Sequence, residues 1–502
     1  MKDQSRDLYV GVDVGGTKIQ ASLITDTGTV LVSNRRNTPR NCSHEITLDV
    51  IEESIHELLM LQNQPVEQLS GVGIAVPGVV CPESGNVVVT PNMNLSGVEL
   101  GRVMRERLGG VRVEVGNDCN LGTLGECWLG SGRLANTAVG IFVGTGIGSG
   151  IVRDHRLISG AGQVAGEIGH IVLQLPCESW HTQLRLKKSG RKRVRQTEFA
   201  KQTIKAKKVK LIKKSAKHPL GLVQCGCGNY GCFESIASRS AIERYIREAV
   251  ARGAKSSIAD LNGGKLDVIK SGSIAKALKG GDEVVTAIVN YAATVIGYAC
   301  LTVRHLLDPD VIMLGGGVIE ACQKYMMPVI ESVTVADRLQ AAPCSRRILV
   351  SSLGDSAVVL GAVALVRSTE TSTFDQICES IPKYPHLLML ADEVIHIDDV
   401  AYTSDILILP DGTIHARSKV PKKDPNGFRF KDIETAVQGG TDLLILATPT
   451  AEKLTLSEKC KDYLYRRGID HRVVQLREAV QLYNNFNGRR SAVLHFNING
   501  KN

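Results

Sequence analysis

A short glycine turn between charged side chains stands near the start of the sequence. The residues DVGGTK occupy positions 13–18, and strand-like runs at 8–14 and 19–23 place the glycines at the tip of a predicted hairpin. Adjacent glycines allow backbone N–H groups to face a phosphate, while a hydroxyl, an ammonium and a carboxylate nearby can bind its oxygens and a Mg²⁺ ion. Taken alone, the pattern is also typical of an ordinary structural turn.

Two further glycine clusters follow predicted strands in the same manner. The residues GTGIGSG at 144–150 follow a strand at 138–143. Three glycines at 315–317 follow a strand at 311–314 and open a helix, whose N-terminus can accept an anion. Three such turns in one chain favour a binding site for nucleotide phosphates over turn geometry alone.

An Asn-Asp pair follows another predicted strand, at 111–115. An aspartate such as Asp118 at a strand end can act as a general base toward a hydroxyl, while Asn117 holds the substrate by hydrogen bonds. An ordinary turn also explains the pair, and without further context it is the favoured interpretation.

Three cysteines lie within eight residues and are separated by glycines. With His170 as a fourth ligand, Cys225, Cys227 and Cys232 would form the closed Cys₃His set of a structural zinc site. If His170 and Cys232 share an ion, Glu167 and Glu234 are brought to the same place. Carboxylates and an imidazole held there could accept hydrogen bonds from several sugar hydroxyls.

The elements that must position these residues alternate between strands and helices. Helical patterns at 48–61, 282–307 and 356–366 alternate with the strands above and one at 72–76, which predicts an α/β fold. A linker is predicted at 367–377. After it, apolar strand runs at 406–409, 443–447, 473–476 and 492–496, with helices between them, predict a separate small α/β domain at 378–502.

Composition limits the class of protein. A chain of 502 residues is too long to fold around one compact core, so at least two domains are expected. Its net charge of +9 comes from residues 183–218, which carry +14 and leave −5 elsewhere. The N-terminus has no signal-peptide pattern, and no apolar run is long enough to span a bilayer. We therefore expect a cytoplasmic protein whose thirteen cysteines are free thiols or metal ligands.

Together these motifs resemble the ROK family of sugar kinases and repressors, within the actin-like ATPase superfamily. The similarity runs from about residue 8 to 366 and rests on 13–18, 144–150, 160–170, the CxCGxxGCxE element at 225–234, and 354–356 with 361–362. It implies an α/β, ribonuclease H-like fold of two lobes, at 1–120 and 121–366, with a basic insertion at about 176–220.

The resemblance also implies roles for individual residues. Asp118 is implied to be the catalytic base. The residues implied to contact the sugar are Asn92, Asn117, Asp118, Glu167, His170 and Glu234. Those implied to bind ATP are Asp13, Gly15, Gly16, Thr17, Lys18, Gly144, Thr145, Gly146, Gly315, Gly316 and Gly317. The implied zinc ligands are His170, Cys225, Cys227 and Cys232.

The reaction implied by the family is in-line transfer of the ATP γ-phosphoryl group, with Mg²⁺, to a hexose hydroxyl, foremost C6 of glucose. The alternatives are a kinase for N-acetylmannosamine or N-acetylglucosamine, and a sugar-sensing regulator without turnover. Family repressors carry a winged-helix domain before the first glycine motif, whereas twelve residues precede Asp13 here, so we expect no such domain. Family membership further implies a homodimer.

Two parts of the chain depart from the family pattern. The basic insertion adds roughly 40 residues between His170 and the cysteines, and such a charge run is most often a solvated loop. A patch for RNA, DNA or another polyanion, and a lid over the site, are the alternatives. The C-terminal unit resembles a small α/β family related to a mitochondrial complex I assembly factor. It carries no catalytic motif, so binding of another protein or a regulatory role is expected.

Overall fold

The computed structural model describes most of the chain. The described residues are 7–82, 84–91, 93–173, 222–337, 339, 347–368, 384–391, 394–398, 400–417, 428–448, 456–486 and 488–496. Three sequence predictions lie outside these residues: the sugar contact Asn92, the basic insertion at 176–220, and all but the first two residues of the linker at 367–377.

A five-stranded sheet forms the first lobe. Its strands are β1 (Leu8–Val14), β2 (Lys18–Thr25), β3 (Val30–Asn37), β4 (Leu69–Val76) and β7 (Val113–Asn117). Their order is β3-β2-β1-β4-β7, with antiparallel pairing from β3 to β1 and parallel pairing from β1 to β7. A separate hairpin joins β5 (Val79–Cys81) to β6 (Asn86–Val89). The helices of this lobe are α1 (His44–Leu61) and α2 (Leu100–Arg107), with a 3₁₀ turn at Val66–Gln68.

The second lobe repeats this arrangement. Its strands are β8 (Thr137–Val143), β9 (Ile147–Arg153), β10 (Arg156–Leu157), β11 (Val311–Gly315) and β12 (Arg347–Val350). Their order is β10-β9-β8-β11-β12, again three antiparallel strands followed by two parallel ones. Two sheets of the same topology, each an α/β unit, are what the predicted two-lobed fold requires.

Six helices accompany the second sheet in the described part of the chain. They are α4 (Phe233–Ala237), α5 (Arg239–Ala251), α6 (Ile258–Leu261), α7 (Ser271–Lys279), α8 (Glu283–Leu307) and α9 (Gly317–Val335). Asp282 caps α8 by accepting hydrogen bonds from the backbone of Val284 and Val285, both at 3.0 Å. Helix α8 is also long and apolar enough to cross a membrane by length and composition, but most of its apolar residues are buried in the core of this lobe.

Two closely packed helices connect the lobes. Helix α3 (Asp118–Leu129) contacts β8 and β9 of the second lobe, whereas α10 (Ala357–Ser368), entered through a 3₁₀ turn at Gly354–Ser356, contacts β1 and β4 of the first. A Cβ on Gly361 would overlap the carbonyl oxygen of Leu121, so only glycine permits this approach. The chain thus returns to the first lobe through α10. This helix ends at Ser368, two residues past its predicted end at 366. The predicted boundary at 120/121 lies within α3, and it stays a prediction.

The C-terminal part contains two further sheets. A three-stranded antiparallel sheet consists of β13 (Leu387–Ala391), β14 (Val394–Ile397) and β15 (Val400–Tyr402). The second has the order β17-β16-β20-β18-β19, from β16 (Ile406–Ile408), β17 (Ile414–Ala416), β18 (Leu443–Thr448), β19 (Asp470–Gln475) and β20 (Arg490–Leu494). Apolar residues of α11 (Phe430–Ala436) and α12 (Glu458–Tyr465) share one core, and those of α13 (Leu476–Asn485) share another. We call this part the C-terminal domain.

Candidate active site

The candidate catalytic base is the first residue of α3. Asn117 caps this helix, because its Oδ1 accepts hydrogen bonds from the backbone N–H of Cys119 at 2.9 Å and of Asn120 at 3.0 Å. Its Nδ2 donates to the carbonyl of Gly78 at 3.0 Å. These bonds fix the position of Asp118. The side chain of Asn117 therefore has a capping role, and its predicted contact with the sugar stays a prediction.

Two carboxyl groups, Asp13 on β1 and Asp118 on α3, both have raised pKa values. Burial raises the pKa of Asp118 above its ordinary value, although hydrogen bonds, led by that from the backbone of Cys119, act in the opposite direction. Burial, followed by the charges of Asp118 and Asp355, raises the pKa of Asp13 to about 7, while Arg35 lowers it. Raised pKa values of this kind are typical of proton acceptors and ion ligands in active sites.

The turn after β1 has the geometry expected of a phosphate-binding turn. The N–H of Gly15 donates to the carbonyl of Lys18 at 2.9 Å, and Thr38 Oγ1 donates to the carbonyl of Gly15 at 2.5 Å. The C=O and N–H of a trans peptide point in opposite directions, so the N–H of Gly16 points away from Thr38. Gly16, Thr17 and Lys18 are all exposed and available to a ligand.

The turn after β8 is held by the start of α5. Backbone N–H groups of Arg239 and Ser240 donate to the carbonyls of Gly144 at 2.9 Å and Thr145 at 3.3 Å, and Ser240 Oγ donates to the second carbonyl at 2.8 Å. By the same peptide geometry, the N–H groups of Thr145 and Gly146 point away from α5. Two adjacent donors with one orientation are suited to a phosphate.

Arg239 is a residue of this site that the sequence motifs did not include. Its Nη2 donates to Thr145 Oγ1 at 2.7 Å, and its Nε lies 3.1 Å from Glu243 Oε1. Since Thr145 Oγ1 accepts this bond, its own hydroxyl hydrogen remains available to donate. The sequence signal was a cation directly after the helix cap Ser238, 94 residues beyond the threonine that it contacts.

The third predicted turn lies beside the second. Gly316 is the N-cap of α9 with a φ of 85°, and a Cβ there would lie 2.8 Å from the backbone nitrogen and oxygen of Val143. Only glycine combines this conformation with so close an approach. The N-terminus of a 19-residue helix, starting at Gly317, is therefore placed next to the end of β8, where Gly144 begins its turn. Gly315 itself is the last residue of β11.

The four predicted zinc ligands come together at the end of a 3₁₀ turn, Ile168–His170, and around the start of α4. Their ligand atoms all lie within 4.8 Å of one another. Cys227 Sγ is 3.8 Å from Cys232 Sγ, and Cys225 Sγ is 3.7 Å from His170 Nδ1. A tetrahedral ion with Zn–S bonds of about 2.3 Å separates its sulfurs by about 3.8 Å. The residues present fit a Cys₃His zinc site.

The two predicted sugar carboxylates adjoin this cluster. Glu234 Oε2 accepts from the N–H of Ile147 at 2.8 Å, and its Oε1 lies 3.6 Å from Cys225 Sγ. Glu167 Oε2 lies 4.0 Å from Nε2 of His170, whose Nδ1 faces the cysteines. A Cβ on Gly146 would overlap Glu234, so the predicted phosphate turn and the predicted sugar residues are neighbours.

Two lobes of one topology, connected by α3 and α10 and each with a glycine turn after its first strand, are characteristic of the actin-like ATPase fold. The chain belongs to the ROK family, whose sequence pattern matches residues 9–369. It is 27% identical to a glucokinase of Halalkalibacterium halodurans over 364 residues, which cover 72% of this chain and 96% of that enzyme. It is 25% identical to a xylose repressor of Caldicellulosiruptor bescii, covering 72% of this chain and 78% of the repressor.

A solved structure shows the same relationship. A ROK family glucokinase from Streptomyces griseus, in complex with glucose and AMPPNP, is 25% identical and superposes with a TM-score of 0.56. The match covers 72% of this chain and 99% of that enzyme. Sequence and structure thus place this chain among ROK sugar kinases and regulators, with the C-terminal domain beyond the match.

Proposed function

We propose that this protein is an ATP-dependent hexose kinase and that glucose is its substrate. The observation that supports the proposal best is the position of Asp118. Asp118 begins a capped helix between the two lobes, and burial raises its pKa. Its charge also raises the pKa of Asp13, which precedes the first glycine turn. The glucokinase relatives and the glucokinase complex with glucose and AMPPNP favour the same substrates.

In the proposed reaction the sugar hydroxyl gives its proton to Asp118 while it attacks the γ-phosphorus of ATP. Glu167 and Glu234 accept hydrogen bonds from other hydroxyls and orient the sugar. The Nε2–H of His170, whose Nδ1 faces the cysteines, donates a hydrogen bond to a sugar oxygen. The N–H groups of the turns after β1 and β8 bind phosphate oxygens, and the cation Lys18 adds to this charge compensation. Transfer breaks the γ-phosphoryl bond to ADP and forms the sugar phosphate.

Two metal ions belong to the proposal. Mg²⁺, held with the phosphates near Asp13, would neutralise charge on ATP. Zinc, held by the four-residue cluster, would fix the loops that carry the sugar ligands and leave Nε2 of His170 free for substrate. A cytoplasmic location, expected from the sequence pattern, and a homodimer, implied by the family resemblance, stay predictions.

The decisive experiment measures ADP release with ATP, Mg²⁺ and zinc-loaded protein. The acceptors are glucose, mannose, fructose, N-acetylglucosamine and N-acetylmannosamine. We expect turnover on glucose, and we expect Asp118→Asn to abolish it while leaving the calorimetric affinity for glucose within about threefold, since the variant keeps the shape of the side chain. Turnover that survives in Asp118→Asn would contradict the assignment of the base.

The alternatives have different outcomes in the same assay. Preference for an acetamido sugar would identify an N-acetylhexosamine kinase. Sugar binding without turnover on any acceptor would favour a sugar-sensing regulator, which the similarity to the xylose repressor over 359 residues keeps as the second candidate.

A further inference from the structure

The C-terminal domain contacts the end of α3 that is remote from Asp118. Gly440, with a φ of 85°, lies so close to the carbonyl of Leu129 that a Cβ on it would overlap this oxygen. Helix α3 has twelve residues, so the contact is about 18 Å along the helix from the catalytic base. Only glycine permits backbone to approach backbone in this way, which indicates an interface built for close contact.

An ion pair adjoins this contact. Arg133 Nε donates to Asp442 Oδ1 at 2.7 Å, and Nη2 of the same arginine contacts Oδ2. The two side chains are 13% and 15% exposed, so the pair is shielded from solvent. Asp442 Oδ2 also accepts from the backbone N–H of Arg489 at 2.9 Å. Removing one partner of such a partly buried pair destabilises a protein strongly, because the other charge is left without compensation.

Arg489 extends the interface to the first lobe. Its guanidinium is buried and donates to the carbonyls of Gly440 at 3.0 Å and Gly439 at 3.2 Å within the C-terminal domain. Its Nη1 also donates to the carbonyl of Thr27 at 3.3 Å. Thr27 lies in the turn between β2 and β3, at the opposite end of β2 from the phosphate-binding glycines.

The same domain also contacts the second lobe. The N–H of Val350, on edge strand β12, donates to the carbonyl of Arg466 at 2.7 Å, and the guanidinium of Arg466 pairs with Glu331 of α9 at 3.4 Å. Gly468 packs against Leu349. The contact therefore covers one edge of the second sheet, where unpaired backbone groups would otherwise face solvent.

From these contacts we propose that the C-terminal domain braces the two lobes and holds α3 in the arrangement in which Asp118 and Asp13 lie together. Arg133, Asp442 and Arg489 are positioning residues of this brace. The attachment to the second lobe includes the shielded pair of Arg133 with Asp442 and the backbone hydrogen bond from Val350. To the first lobe, the described residues make one hydrogen bond, at Thr27. The domain consequently moves with the second lobe and restrains the first.

The brace should act on sugar affinity more than on the chemical step. A protein whose binding-competent arrangement is populated only in part shows a weaker apparent affinity by that fraction. Once the sugar is saturating, it restores the assembled arrangement itself. Loosening the brace should therefore raise the KM and the Kd for the sugar about three- to tenfold with little change in kcat.

A charge exchange in the full-length, zinc-loaded protein tests this proposal, which rests on the proposed kinase only for its kinetic readout. The single variants Arg133→Asp and Asp442→Arg place like charges together, and the double variant restores an opposite pair. Lys461→Glu is the matched control, because it reverses a charge in an exposed pair with Glu458 inside the C-terminal domain. The measurements are the sugar Kd by calorimetry, kcat and KM, and hydrogen exchange of segments 24–31 and 124–133.

We expect each single variant to raise the sugar Kd and to speed exchange in both segments, and the double variant to restore both toward the parent. Lys461→Glu should change neither. If the single variants accelerate hydrogen exchange only within the C-terminal domain and leave the sugar Kd unchanged, the proposal that this domain braces the lobes is wrong. If the parent binds sugar but turns none over, the kinase proposal fails while Kd and exchange still decide on the brace.

Discussion

Replacing Asp13 with asparagine tests the cost of a buried carboxyl group in the cleft. Its pKa rises from the ordinary value of 3.8 to about 7, first because of burial and then because of the charges of Asp118 and Asp355. Between these two pH values the native protein keeps a proton that the unfolded chain has lost. Stability therefore falls as pH rises through this window, and the full interval corresponds to about 4 kcal/mol.

Asparagine has no charge to bury, so the free energy of unfolding of the variant should not fall as pH rises through this window. We expect Asp13→Asn to gain about 3 kcal/mol relative to the parent between pH 5 and pH 8, and to lose turnover. Denaturant unfolding at a series of pH values, without Mg²⁺, measures the difference. Asp7→Asn is the control, because Asp7 is exposed just before the same strand. A difference that does not change with pH, or a variant less stable than the parent at pH 8, would refute the reasoning.

Three further predictions concern separate parts of the molecule. Arg239→Gln should raise the KM for ATP roughly tenfold, since it removes the bond that orients a phosphate-turn hydroxyl. Arg247→Gln, which loses a pairing with the same glutamate and bonds to the carbonyls of Leu266 and Asp267, should not raise it. Cys227→Ser should lower the bound zinc measured by metal analysis, the melting temperature and the sugar affinity together. Gly361→Ala should destabilise by about 2 kcal/mol or more in chemical unfolding, because its Cβ meets backbone, while Gly272→Ala, with open space in a helix, should stabilise by about 0.5 kcal/mol.

Local motifs account for what the sequence predicted well. The glycine turns, Asp118 and the cysteines are defined by residue types at short spacing. The glycine turns and Asp118 also stand after strands whose apolar runs are easy to recognise. Their neighbourhood in space follows from the two-lobed fold that the ROK resemblance implied, and family and fold are confirmed. The roles of individual site residues stay predictions.

Other features depend on contacts between residues distant in sequence. The pairing of Arg239 with Thr145 spans 94 positions, and that of Arg133 with Asp442 spans 309. Neither leaves a periodic or compositional pattern in the chain. The capping role of Asn117 was missed for a different reason, because an Asn-Asp pair at the start of a helix looks the same whether its amide holds the backbone or a substrate.

The location of the basic insertion explains how the fold tolerates it. The described chain stops at Leu173 and resumes at Leu222, and these ends lie together: Leu173 N–H donates to the carbonyl of Gly231 at 3.1 Å, and Gly231 N–H donates to that of Val223 at 2.8 Å. With both ends already held beside the predicted zinc ligands, each doubling of a connecting segment costs only about 0.6 kcal/mol. At this position, therefore, inserted sequence can be exchanged without rearranging the sheets and helices around it.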